Sequence, residues 1–169
     1  IARMEPENNI EMILEGFMRS KKDRDLVIIG SLETDFGRYI SEKYHHSQIR
    51  FLGFVSGINN LNSLRYYSNL YFHGHSVGGT NPSLLEAMAS DSLICAHDNI
   101  FNKSILEHDS FYFTNSEQIK ILINHNIKNK ENEFLINNRK KINNLYSWDK
   151  IVLDYNSFFI KILNKYKPS

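Results

Sequence analysis

Apolar positions along the chain alternate between short unbroken runs and stripes that recur with helical spacing. IARM at the start predicts a strand, and Ile10, Ile13, Leu14, Phe17 and Met18 then share one face of a helix over about 7–20. LVIIG (26–30) is a continuous apolar run stopped by a glycine, the pattern of a parallel strand buried on both faces. A helix over about 33–44 follows, then a strand at 49–55 (IRFLGFV) and an amphipathic segment with Leu61 and Leu64. LYFH (70–73), LICA (93–96) and FYF (111–113) predict further strands, and a helix opens between the first two at Asn81-Pro82. Thr114 and Glu117 form a capping box for a helix bearing Ile119, Leu122, Ile123 and Ile127. The Asn- and Lys-rich segment 124–144 reads as a solvated helix surface. Ser147 or a neighbour caps a last helix with Trp148, Ile151, Val152, Tyr155, Phe159 and Ile162, of which Trp148, Tyr155 and Phe159 are assigned to the core.

Repeated strand–helix–strand units with short connections imply right-handed crossovers. The predicted fold is α/β: a Rossmann-like parallel sheet with helices on both faces, filling residues 1–169 as one domain. Ligands of such sheets bind beyond the carboxyl ends of the strands, where Arg3, Gly30, Gly53 and the 74–83 loop all fall.

Composition changes this picture little. Hydrophobic residues at 41% and charged residues at 23% suit a globular domain, and a net charge of +1 gives no reason to expect nucleic acid. Cys95 is alone, so there is no disulfide framework and a reducing, cytoplasmic setting is expected. No apolar run approaches the roughly 20 residues of a membrane span, and no signal peptide is visible. The first residue, Ile1, is no initiator, and an excised domain with an absent N-terminal partner is expected.

The chemistry concentrates in LYFHGHSVGGTNPSLLEAMAS (70–90). Asn81 suits a helix N-cap and Pro82 the first helical position, so the turn before them faces free N–H groups and the positive end of a helix dipole. Phosphate binds well at such a terminus. Gly78 and Gly79 carry no Cβ to hinder a ligand, and Glu86, one turn in, leans back toward the same spot. Anion-accepting amides beside a carboxylate suit a sugar phosphate or nucleotide.

A rival reading exists. Gly74-His75-Ser76-Val77-Gly78 fits G-x-S-x-G, the nucleophile elbow of α/β-hydrolases, between a strand and a helix as that motif requires. It would need His97, His108 or His125 as base and Asp91, Asp98 or Asp109 to orient it. The insertion of Thr-Asn-Pro before the helix departs from an elbow, in which the glycines lead straight into the helix. A nucleotide-binding module without transfer chemistry is the third reading.

NPSLLEAMAS matches the P-x-x-x-E-A-M-A segment of retaining glycosyltransferases of the two-lobed GT-B fold, the large family 4. IARMEPENNIEMILEGF resembles that family's opening strand and helix, LVIIG and IRFLGFV its next strands, and SWDKIVLDY its closing helix. The resemblance extends over essentially all of the chain and concerns the C-terminal, donor-binding lobe. It implies transfer of a sugar, with retention, from a nucleoside-diphosphate sugar to a polysaccharide or glycolipid acceptor, with no metal and no separate cofactor. It assigns Arg3 to the donor phosphates and Glu86 to the ribose hydroxyls, the two residues of the catalytic machinery that this lobe would supply. Gly79, Thr80, Asn81, Pro82 and Ser83 would hold the diphosphate and sugar; Gly53, Phe54 and Val55 would border the base, and Gly30 would admit the nucleotide.

Two positions depart from the family pattern. Its phosphate-binding lysine falls on Asn8, and the first acid of its paired glutamates falls on Gly78. A bacterial sub-group with S-V-G-G-T-N-P here resembles the chain better. His73 and His75 are read as satisfying backbone near a crowded turn, with contact to the donor as the alternative. The closing FFIKILNKYK is expected to dock on the absent N-terminal lobe, with peripheral contact at the inner face of the plasma membrane as the alternative. The acceptor pocket is expected in that lobe, leaving this one able to bind nucleotide with little or no transfer.

Overall fold

Residues 1–21, 23–129 and 132–166 are described by a computed structural model. A 3₁₀ turn at Pro6–Asn8 leads into α1 (Ile10–Arg19), followed by β1 (Leu26–Ile28), α2 (Asp35–Lys43), β2 (Ile49–Phe51), α3 (Ile58–Tyr67) and β3 (Tyr71–His73). Then come α4 (Pro82–Ala89), β4 (Ile94–His97), α5 (Ile100–Leu106), β5 (Phe111–Phe113), α6 (Ser116–His125), α7 (Glu133–Leu145) and α8 (Trp148–Lys165). All pairing among the described strands is parallel, in two ladders: β1 with β2, and β3–β4–β5. The α/β alternation and the parallel strands are those predicted.

The details differ in instructive ways. IARM forms no strand; its one rung is the Ala2 amide on the Ile29 carbonyl at 3.0 Å, while Met4 turns into the core. Within 49–55 the strand itself is Ile49–Phe51; backbone bonds run on from the Leu52 amide to the Ile28 carbonyl and from the Gly30 amide to the Gly53 carbonyl, each 2.9 Å, and stop at Gly53, whose φ of 65° ends the extended run. The cap of α6 is Asn115, which accepts from the Gln118 amide, and Gln118 in return accepts from the Thr114 amide. The capping box therefore sits one residue later than Thr114–Glu117, and Ile127 lies beyond the helix and is exposed. Helix α5 went unread, although Asn99 caps it through the Asn102 amide.

The largest departures are at the end of the chain. Within 124–144, α7 is more than a solvated surface, since it buries Leu135 and Asn138 and packs against α4. Helix α8, capped by Ser147 as predicted, buries none of its residues: Trp148, Tyr155 and Phe159 are 80%, 61% and 54% exposed, so they are not core. Lys167 of FFIKILNKYK lies outside the described residues.

The core has two centres and a joint. Met4, Leu14 and Phe17 pack with Ile28, Ile40 and Ile49 around β1 and β2. Leu84, Met88, Ile94 and Leu106 pack around β3 and β4. Ile13 of α1, Cys95, Phe113 and Ile119 of α6 meet between them, where α1 lies so close to α6 that a Cβ on Gly16 would sit 2.4 Å from Ile119. Between β1 and β3 runs a cavity of about 890 Å³, lined by Leu26–Ile29 on one side and Leu70–Phe72 on the other.

Candidate functional site

The 74–83 loop leaves β3 at the carboxyl edge of its ladder and is held from two sides. On the first, the Asn9 amide group donates to the Gly74 carbonyl at 2.7 Å. Both the backbone N–H and the hydroxyl of Ser76 donate to the Glu7 carbonyl, at 3.0 and 2.8 Å. Gly74 is required here, since a Cβ would lie 2.1 Å from the Asn8 carbonyl oxygen. On the second side, Asn99 and Asn102 each direct an amide donor at the His75 carbonyl, at 2.9 and 3.0 Å.

Beyond Ser76 the loop is open. Val77 through Thr80 are exposed, and a Cβ on either Gly78 (φ 115°) or Gly79 would meet nothing within 4 Å. The amides of Gly79, Thr80 and Asn81 make no hydrogen bond among the described residues. The Ser83 amide, by contrast, is already taken by the Asn81 side chain at 2.9 Å, and Pro82 has none to give. Within the 79–83 run, three amides are therefore free among the described residues, fewer than five positions suggest. Ser83 contributes its hydroxyl instead, 2.9 Å from that of Tyr71.

The other residues singled out lie in the opening segment and just past the carboxyl ends of β1 and β2. The Gly30 amide donates to the Gly53 carbonyl at 2.9 Å, tying the ends of β1 and β2 together. The space that Gly30 leaves is filled by the chain itself: a Cβ there would lie 2.0 Å from the Ala2 carbonyl. Arg3 is exposed, its carbonyl held by the Asn8 amide group at 2.8 Å, and its guanidinium is close enough to act electrostatically on His75. Asn8, in the place of a lysine, is thus a structural clamp. Phe54 is 82% exposed and Val55 half-buried.

Glu86 has a partner that the sequence did not suggest. Arg65 on α3, 2% exposed, places Nη2 2.5 Å from Glu86 Oε2 and Nη1 2.9 Å from Asn62 Oδ1. The Glu86 side chain remains 41% exposed, and Oε1 has no partner among the described residues. Arg65 was missed because it stands in an ordinary amphipathic stretch. Asn9, Asn99 and Asn102 were missed too, although asparagines flanking helix starts are a signal for capping and loop contacts.

Ser76 is no elbow nucleophile. Its hydroxyl is directed at the Glu7 carbonyl, with no histidine nitrogen in hydrogen-bond contact among the described residues. The nearby His73 and His75 stack on each other, ring centres 4.3 Å apart, rather than satisfying backbone, and both nitrogens of His73 are buried without a hydrogen-bond partner among the described residues. Burial lowers His73 to about 3 and His75 to about 4, with the Arg3 guanidinium adding to the shift of His75. An unfolded histidine takes up its proton near 6.5, so between about 6.5 and 4 the unfolded chain binds protons that the folded one refuses. Stability is therefore full above pH 6.5 and falls on acidification. His73→Phe is expected to reduce the slope of unfolding free energy against pH by about one proton in that window, measured by urea titration. An unaltered slope would mean that the ring is not held neutral.

The comparisons with known proteins bear on this geometry. The sequence profile described as Glycosyl transferases group 1 matches residues 1–144. The chain belongs to this family. No curated protein matches it. Among solved structures, Anabaena HepE in complex with UDP and glucose is 16% identical, with a TM-score of 0.72 over 98% of this chain and 47% of HepE. A glycosyltransferase from Rickettsia africae gives 15% identity and a TM-score of 0.76, covering 96% of this chain and 46% of that one. The C-terminal domain of the Francisella tularensis group 1 protein LpcC is 18% identical, with a TM-score of 0.66 over 88% of this chain and 84% of that domain. This group 1 domain thus spans about half the length of the first two proteins and has the parallel α/β fold of a GT-B C-terminal lobe.

Proposed function

We propose that the chain is the donor-binding lobe of a retaining, metal-independent bacterial glycosyltransferase of family 4, acting in the cytoplasm with an N-terminal lobe that carries the acceptor pocket. The observation that supports this most is the exposed turn ahead of α4, with free amides on Gly79, Thr80 and Asn81 and Glu86 one turn behind, in a chain of the group 1 family. The diphosphate of a nucleoside-diphosphate sugar sits against those amides and the helix dipole, with Arg3 adding a guanidinium to the phosphates. Glu86 Oε1 accepts from the ribose, and Gly53, Phe54 and Val55 border the base. As the glycosidic bond to phosphate breaks, negative charge grows on the leaving diphosphate, and fixed donors stabilise it without reorganising. HepE's complexes with UDP-glucose and with UDP lend the donor class a precedent in the same fold.

Each charge-assisted hydrogen bond contributes about 1.5–3 kcal/mol, and association costs several, so a micromolar to millimolar affinity is expected. Calorimetric titration with UDP, GDP and TDP is the test: one of them should bind saturably, while transfer to a polysaccharide or glycolipid acceptor appears only with the N-terminal lobe present. Failure of all three to bind would sink the reading.

A further inference from the structure

Arg65 is a costly residue to place where it is. A guanidinium that is 2% exposed has left water, and its Nε is buried with no hydrogen-bond partner among the described residues. An ion pair of this kind is at best a weak source of stability, since an apolar residue of similar volume often serves as well. Its contacts are specific nonetheless. Nη1 is held by Asn62 Oδ1, three residues earlier on the same helix, so the planar fork is oriented by α3 itself. Nη2 reaches Glu86 Oε2 at 2.5 Å, across to α4. Tyr71 lies alongside, its hydroxyl on that of Ser83 in the first turn of α4.

The partner is not buried in the same way. Glu86 keeps 41% of its side chain in solvent and leaves Oε1 unpaired among the described residues. One oxygen is thus clamped by a rigid, dry donor and the other is offered outward. A free glutamate on an exposed helix turn would sample several rotamers, and ordering it costs side-chain entropy. Here that ordering is done in advance.

We propose that Arg65 is a positioning residue for the nucleotide's ribose: by fixing Oε2 of Glu86 from beneath, it holds Oε1 in place to accept from a vicinal diol. This rests on the donor-lobe reading above. A second consequence concerns discrimination. A pre-oriented acceptor is worth most to a ligand that fills it and nothing to one lacking the hydroxyls, so the clamp should act on selectivity for the diol rather than on affinity at large.

The test compares UDP with 2′,3′-dideoxyuridine diphosphate, replaced by GDP and its dideoxy analogue if guanine is the preferred base, on the wild-type chain, Arg65→Lys, Arg65→Met and Glu86→Gln. The wild type should favour the diol by about tenfold or more. Arg65→Met should bring that ratio close to unity while the dideoxy analogue binds as before, and Arg65→Lys should keep an intermediate ratio. Adding Arg65→Lys to Glu86→Gln should change the ratio no further. If Arg65→Met fails to fold, Arg65→Lys alone decides: a wild-type ratio in it overturns the proposal. Equal weakening of both ligands in the Arg65 variants also overturns it, leaving Arg65 as a tie between α3 and α4. A wild-type chain that binds none of UDP, GDP and TDP overturns the donor reading and this role together, whereas binding of TDP alone, or binding without preference for the diol, overturns this role only.

Discussion

Gly74→Ala is expected to destabilise the protein by about 1–3 kcal/mol and to weaken nucleoside-diphosphate binding by roughly tenfold. The added Cβ would lie 2.1 Å from the Asn8 carbonyl oxygen and 3.2 Å from the Ile13 side chain, and the first of these is backbone that cannot rotate away. Relief requires the 3₁₀ turn and the loop to part, which strains the Asn9–Gly74 bond and both bonds from Ser76 to Glu7. Those bonds aim the open half of the loop, so the loss should be felt at Gly79–Asn81 although Gly74 touches no ligand. Calorimetric melting together with nucleotide titration measures both effects. A variant that melts and binds as the parent does would show that the loop is not held through this contact.

Phe113→Ala carries the largest expected loss of stability, about 3–5 kcal/mol. Phe113 is fully buried at the joint with Ile13, Cys95 and Ile119. Its ring meets Phe72 edge-on at 6.1 Å and His97 at 5.9 Å, so truncation removes contacts to two strands as well as transfer free energy. For a domain of this size the melting midpoint should drop by roughly 10 °C. A loss below about 1 kcal/mol would mean that the surroundings collapse to fill the space.

The sequence made the elements and their order legible wherever a single periodicity ruled, as in α1, LVIIG and FYF. The start of α4 was also legible, because Asn81 and Pro82 act through local backbone chemistry. What escaped it were facts about pairing across the fold. Nothing in LNSLRYYSNL marks Arg65 as the residue that goes under α4, since a cation on an amphipathic helix is ordinarily solvated. The same limit explains α8: its apolar residues match a buried helix in pattern, but pattern cannot name what lies opposite, and among the described residues almost nothing does. Gly30 illustrates a third limit, since a small residue at a strand end signals close approach without telling ligand from chain.

The gap between β1 and β3 is bordered by Ile1 and Ala2 and leaves the two ladders unpaired with each other among the described residues. No backbone ladder among the described residues crosses it, so β1–β2 and β3–β5 share load mainly through side chains of α1 and α6 and the clasp of the 3₁₀ turn on the loop. Each ladder keeps its own centre of packing. The contact of Ile13 with Ile119 therefore carries strain from one to the other, and whatever loosens it is felt on both sides of the sheet.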